Sequence, residues 1–188
     1  MQVGIMNTFW SEAARELKPQ EIRLLFLLLS QQTGFIIHCN DMGSRLGLQQ
    51  QNASRSMKKL QEKGYVTPPK NLRSKTDGWH LTRKALGYKA KEYSQKYNLY
   101  DLDDICDSSI DNYKWVIEAF IAAYPDDGEN IRNNTKFISE RLGIDVRTIK
   151  KHLTETIVTD NSFNKELGAE FANQMAIVQQ AQTNGFVF

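Results

Sequence analysis

Gln51, Arg55 and Lys58 follow one another at intervals of four and three, inside a stretch from Gln49 to Gln61 that contains no acidic residue. On a helix that spacing places the three side chains on one face, opposite Ala53, Met57 and Leu60. Asn52, Ser54 and Lys59 lie on the flanks, and Gln50 stands at the amino end. Glutamine and asparagine make paired hydrogen bonds to adenine, arginine to guanine, and lysine contacts phosphates. A helix from about Gln50 to Lys63 with these residues outward is expected to lie in the major groove of double-stranded DNA. The competing reading is an ordinary solvated face, although such faces usually mix in acids.

A second cationic group follows between Pro68 and Gly78, where Lys70, Arg73 and Lys75 accompany a single acid, Asp77. Tyr65-Val66-Thr67 and Trp79-His80-Leu81 on either side read as the strands of a hairpin. Its basic tip would reach the neighbouring minor groove or its phosphates. Each phosphate neutralised adds roughly 0.9 to the salt slope of log K, so contact by these cations predicts strongly salt-dependent binding. A solubilising loop is the alternative.

The elements that would position these groups are legible in the same chain. Pro19 fits the first turn of a helix continuing to about Gln31, with Leu24, Leu25, Leu28 and Leu29 as its apolar stripe. A shorter helix over Phe9 to Leu17 is expected before it, and a short strand over Phe35 to Cys39 after it. Asn40 or Asp41 then caps a helix ending near Leu46, which Gly47 stops. Gly64 closes the following helix. Thr82 is expected to cap a helix reaching about Asn98, on which Leu86, Ala90, Tyr93 and Tyr97 form a heptad-like seam that either pairs with a second subunit or, as such stripes more often do, packs on its own domain.

Two stretches share one register. Met42, Leu46, Leu48, Ala53 and Met57 stand at offsets −5, −1, +1, +6 and +10 from Gly47. Ile138, Leu142, Ile144, Ile149 and Leu153 stand at the same offsets from Gly143, and an Arg-Leu pair precedes each glycine. A helix-turn-helix requires this pattern: a glycine where the first helix turns, a plug after it, and a narrow apolar stripe on the second helix. In the second copy Arg147, Thr148, Lys150 and Lys151 populate the outer face, either as a second DNA contact or as part of a packing or partner surface.

Charge divides the chain as well. Residues 1–100 carry 16 basic and 7 acidic side chains, whereas residues 101–188 carry 8 and 15. This asymmetry points to a polyanion for the first half and a different task, such as binding a protein, for the acidic second half. The predicted organisation is a winged helix-turn-helix domain over 1–100, an acidic linker over 101–111, and a second, all-α helix-turn-helix domain with a C-terminal helix over 112–188. The fold class is thus mainly α with a small β-hairpin. Tyr113, Val116, Ile117, Phe120, Ile121 and Tyr124 mark an amphipathic helix after the linker. The last 18 residues, from Phe171, hold no charged side chain, so Phe171, Met175 and Val178 are expected to pack against something.

Residues 18 to about 92 resemble the winged-helix core of the MarR (multiple-antibiotic-resistance repressor) family. The matching marks are Pro19-Gln20 with the leucine-rich helix, Arg45-Leu46-Gly47-Leu48, the run Leu60-Gln-Glu-Lys-Gly64-Tyr-Val66, and Leu81-Thr82-Arg-Lys-Ala85. They span about 40 per cent of the 188 residues. The resemblance implies transcriptional regulation, binding as a dimer to a palindrome-like site, and in some members a small-molecule inducer. Three features depart from the family: about 17 residues precede Lys18 where its members usually have a longer N-terminal helix for dimerisation, Arg73-Ser74-Lys75 stands where its wing commonly shows Asp-x-Arg, and the family lacks a second helix-turn-helix.

Enzyme classes find little support. His38, His80 and His152 have no metal-ligand spacing with a cysteine or acid, and no phosphate-binding glycine loop or nucleophile motif is present. No cofactor is implied. Cys39 and Cys106 form no Cys-x-x-Cys pair, as expected in a reducing compartment. The opening residues do not read as a signal peptide, and no apolar run approaches a membrane span. A cytoplasmic, sequence-specific DNA-binding regulator acting as a homodimer is the reading these features support. Two alternatives stay open: a plasmid or phage replication initiator with tandem winged helices, and an adaptor whose acidic half binds a protein partner.

Overall fold

The computed structural model describes residues 2–31, 37–70, 78–91 and 96–154. Strand β1 (Gln2–Met6) is followed by helix α1 (Thr8–Glu12) and a 3-10 turn (Ala14–Glu16). Next come α2 (Pro19–Ser30), α3 (Cys39–Arg45), α4 (Gln50–Glu62), β2 (Val66–Thr67), β3 (His80–Leu81) and α5 (Arg83–Leu86). The order continues with β4 (Tyr97–Asp101), α6 (Leu102–Cys106), α7 (Asn112–Ala122), α8 (Gly128–Asn133) and α9 (Thr135–Leu142). Residues 146–154 are helical and are called α10. The chain divides into two compact units, Met1–Ile149 and Lys150–Phe188.

The architecture is mainly helical with a small hairpin, as the patterning predicts. Helix α2 is the axis of the first unit: every residue from Glu21 to Leu29 is buried. Lys18 N–H donates back to the Glu21 carboxylate at 3.0 Å at its amino end, and Pro19 occupies the first turn, where a missing N–H is no loss. The hairpin pairs Val66 with Leu81 and Thr67 with His80. Ile37 bridges Trp79 alongside it. Phe35 and Ile36, also expected in that strand, lie outside the described residues, and Cys39 belongs to α3.

An aromatic cluster fills the interior. Phe26 of α2 meets Phe9, Trp10, Tyr100 and Trp115 at ring separations of 5.0 to 5.6 Å, the edge-to-face geometry that ring quadrupoles favour. The polar tips are satisfied: Trp10 Nε1 donates to the Tyr100 hydroxyl at 3.1 Å, which donates to Ala119 O at 3.1 Å.

Four expectations require correction. The helix capped by Thr82 ends at Leu86 rather than near Asn98. Beyond it, Ala90 N donates to Gly4 O and Met6 N to Tyr88 O, both at 2.8 Å, so the chain runs extended along β1. Tyr97 opens β4, which pairs antiparallel with the other edge of β1 from Gln2↔Asp101 to Met6↔Tyr97. The heptad seam therefore does not form; Tyr93 lies outside the described residues. The reason is long-range pairing with Val3 and Ile5, whose alternate burial marks a strand and outweighs local helical periodicity.

Residues 101–111 are not a free acidic linker. They carry α6, and the buried guanidinium of Arg23 binds their backbone, donating to Ile105 O at 2.7 Å, Ile110 O at 2.8 Å, Asp104 O at 3.4 Å and Asp107 O. The five N–H donors of an arginine suit several carbonyls at once, so acid-rich composition coexists with a packed segment. The first unit accordingly runs across this stretch. The expected helix over Phe9–Leu17 is also shorter, because α1 gives way to the 3-10 turn after Ala13.

Candidate nucleic-acid interface

The candidate site is built on α3 and α4. Gly43 of α3 is the point of close approach, since a Cβ added there would stand 2.5 Å from the Ala53 Cβ. Gly47 sits at φ 64°, the left-handed region open to glycine. Leu48 N–H donates to Gly43 O at 2.8 Å and Gly47 N–H to Ser44 O at 3.1 Å, a Schellman closure that satisfies carbonyls at the end of α3. Met42, Leu46, Ala53, Met57 and Leu60 are buried, while Leu48 is half-buried. The helix-turn-helix predicted from the register is therefore present.

Helix α4 ends the same way. Gly64 has φ 76°, Tyr65 N–H donates to Leu60 O at 2.8 Å, and Gly64 N–H donates to Gln61 O at 2.9 Å. Tyr65 then turns inward to a polar cluster that anchors this end of the helix. Its hydroxyl donates to Glu16, which also accepts from Lys84 Nζ at 2.8 Å. Lys63 Nζ donates to Glu16 O and pairs with buried Glu21 at 3.1 Å. Lys84 Nζ lies 4.1 Å from the centroid of the Tyr65 ring. Burial alone would raise the Glu16 pKa, but hydrogen bonds from Lys84 and Tyr65, with the charges of Lys84 and Lys63, bring it below its ordinary value. Burial first, then the bond to Glu16, pushes the Tyr65 phenol well up.

With both ends held, the outward side chains of α4 fall where the helical spacing places them. Gln50, Gln51, Asn52, Arg55, Lys58 and Lys59 are exposed, and Ser54 is half-buried. No side chain caps the amino end of α4, and no acid occupies its first turn, which leaves a field that attracts anions. From α2, Gln20 Nε2 donates to Ser56 Oγ at 2.8 Å and to Asn52 O at 3.5 Å, fixing the face of α4 toward α2. Gln20 and Ser56 escape composition arguments; their signal is polarity on the otherwise apolar side of each helix. Lys59 differs from its neighbours because it pairs with Glu62 at 2.7 Å, a bond that raises its pKa.

Lys70 is exposed at the start of the hairpin loop. Arg73 and Lys75 lie outside the described residues. The second copy repeats the turn: Gly143 has φ 65°, and its N–H donates to Ser139 O at 2.8 Å, a single-bond left-handed cap. Ile138, Leu142, Ile144 and Ile149 are buried. On α10, Arg147 is exposed and Thr148 half-buried. In the second unit, Lys150 and Lys151 are exposed and Leu153 is buried.

Among the described residues, no group of three His, Cys, Asp or Glu side chains is placed to hold a metal ion, and no helix is long and apolar enough to cross a membrane.

Comparison with known proteins agrees with this geometry. The MarR family model matches residues 16–77, about a third of the 188 residues, from just before α2 to the hairpin loop. Members of that family are DNA-binding transcription regulators and typically dimerise. Neither a curated protein nor a solved structure matches the chain.

Proposed function

We propose that this chain, which matches the MarR family model over residues 16–77, is a sequence-specific DNA-binding transcriptional regulator that reads the major groove with α4. Gln51 and Arg55 read base edges, Asn52 and Ser54 flank them, and Gln50, Lys58 and Lys59 contact phosphates. Lys70, with Arg73 and Lys75, extends the contact to the minor groove or its backbone. The observation that carries this reading is the exposed, acid-free face from Gln50 to Lys59 on a helix held at both ends by left-handed glycines, Gly47 and Gly64. A homodimer on a two-fold-symmetric site is the MarR-type arrangement, through a surface other than the seam predicted from Leu86 to Tyr97.

The second helix-turn-helix supports a wider footprint. Contact of Arg147 and Thr148, and of Lys150 and Lys151, with a second groove segment would lengthen the site beyond that of one winged helix. This shared turn geometry also favours a second reading, a replication initiator that binds repeated sites. Selection of bound sites from a random duplex pool by the full chain tests both. A short symmetric operator near promoters is the expected result, direct repeats clustered at an origin establish the initiator, and recovery of no common sequence overturns both.

A further inference from the structure

A second surface lies apart from α3 and α4. Strand β4 pairs with β1 on one edge, and among the described residues no strand lies on its other edge. Asn7 N donates to Lys96 O at 3.0 Å, so with the β1–β4 register the ladder alternation turns the N–H and C=O groups of Tyr97 and Leu99 away from β1. Their side chains are exposed as well, Tyr97 by 41% and Leu99 by 56%. Uncovered edges of this kind are what strands of other chains add to.

Beside that edge runs a cleft of about 360 Å³ between β4 and α7. Leu99, Tyr100, Trp115, Ala119 and Ala122 provide its apolar lining. Asp101 and Asp104 line it together with Lys114 and Glu118, and residues 101–111 hold five aspartates and no lysine or arginine. On the helical wall Lys114 stands near Glu118, whose carboxylate is held by Arg132 at 2.5 and 3.0 Å.

We propose that this cleft receives an extended segment of a partner protein, apolar at alternate positions and carrying Lys or Arg at one end. The segment adds to β4 as a strand through the backbone of Tyr97 and Leu99. Its alternate side chains fill the cleft against Ala119 and Ala122, and its basic end reaches Asp101 and Asp104. Strand addition supplies affinity through main-chain bonds, and the pockets for alternate side chains supply selectivity. The charge of these two aspartates selects against acidic segments. This surface shares no residue with the proposed DNA interface and does not depend on that reading.

The test selects from a random decapeptide library on the full chain and measures an enriched peptide by fluorescence anisotropy. Enrichment of alternating apolar sequences with a basic end is expected. Each of Leu99→Lys, Ala122→Arg and Asp104→Lys should weaken binding about tenfold or more, as expected when an anchor is lost, with unchanged melting temperature. Methylating alternate backbone nitrogens of the peptide should abolish binding, and hydrogen exchange at the Tyr97 and Leu99 amides should slow in the complex. No enrichment, enrichment of acidic or helical peptides, or indifference to backbone methylation overturns the proposal. So does sedimentation showing that the chain alone self-associates and that Leu99→Lys abolishes it, because the occupant is then a second copy.

Discussion

Gly43 of α3 and Ala53 of α4 leave no room between them for another methyl group: a Cβ on the glycine would stand 2.5 Å from that of the alanine. Gly43→Ala would gain about 1 kcal/mol of helix propensity. Driving the two helices apart costs more, about 1–3 kcal/mol for an overpacked contact, so a net loss of stability is expected in chemical denaturation. Adding Ala53→Gly should restore part of the loss in a double-mutant cycle. Simple additivity of the two changes would show that the contact is not what limits position 43.

Two of the left-handed glycines should respond unequally to alanine. Gly64 has φ 76° and open space where a methyl group would stand, so only the backbone penalty of about 1–2 kcal/mol applies. Gly143 has φ 65° and would also place its Cβ 3.2 Å from Arg15 O. Thermal unfolding should therefore rank Gly143→Ala as more destabilising than Gly64→Ala. Equal losses would mean that the Arg15 carbonyl yields at no cost.

Arg23→Met should destabilise the fold by about 3 kcal/mol, because the carbonyls of Ile105 and Ile110 lose buried donors. Arg23→Lys should rescue little of this, since an ammonium cannot reproduce the planar fork. Unfolding monitored at Trp115, whose ring lies 5.8 Å from the guanidinium, reads the effect directly. Near-complete rescue by lysine would reduce the role of Arg23 to charge alone.

Acidification should weaken the anchor at the end of α4. The Glu16 pKa lies below its ordinary value of 4.5 in the folded chain, so the folded state binds protons less readily than the unfolded one. The stabilisation is present above that ordinary value and is lost as pH falls through the folded one. A Glu16→Gln variant should show a flatter stability profile below about pH 4.5 than the parent. Identical slopes would show that Glu16 adds nothing to folding.

Much of the interface was legible because helix-turn-helix geometry writes itself locally. The offsets from Gly47 and Gly143 are consequences of helical period and one left-handed residue, and both turns formed with similar angles. What composition did not reveal depends on partners distant in the chain. Tyr97 belongs to a strand because Met6 lies beside it, and residues 104–110 are ordered around Arg23, more than 80 positions earlier. Arg23 interrupts an apolar run and could have been read as a buried cation seeking carbonyls. The Gly43–Ala53 approach likewise depends on how two helices pack, because glycine within a short helix has several explanations.

The central claim, that α4 reads DNA through its acid-free face, is tested most directly by Arg55→Ala in the full chain, measured on a selected duplex and on a scrambled one at two salt concentrations. The account predicts a loss of about 1–3 kcal/mol on the selected duplex, little change on the scrambled one, and salt-sensitive binding to both. Binding by the parent chain that ignores salt, or an Arg55→Ala variant that keeps full affinity and selectivity, would contradict it.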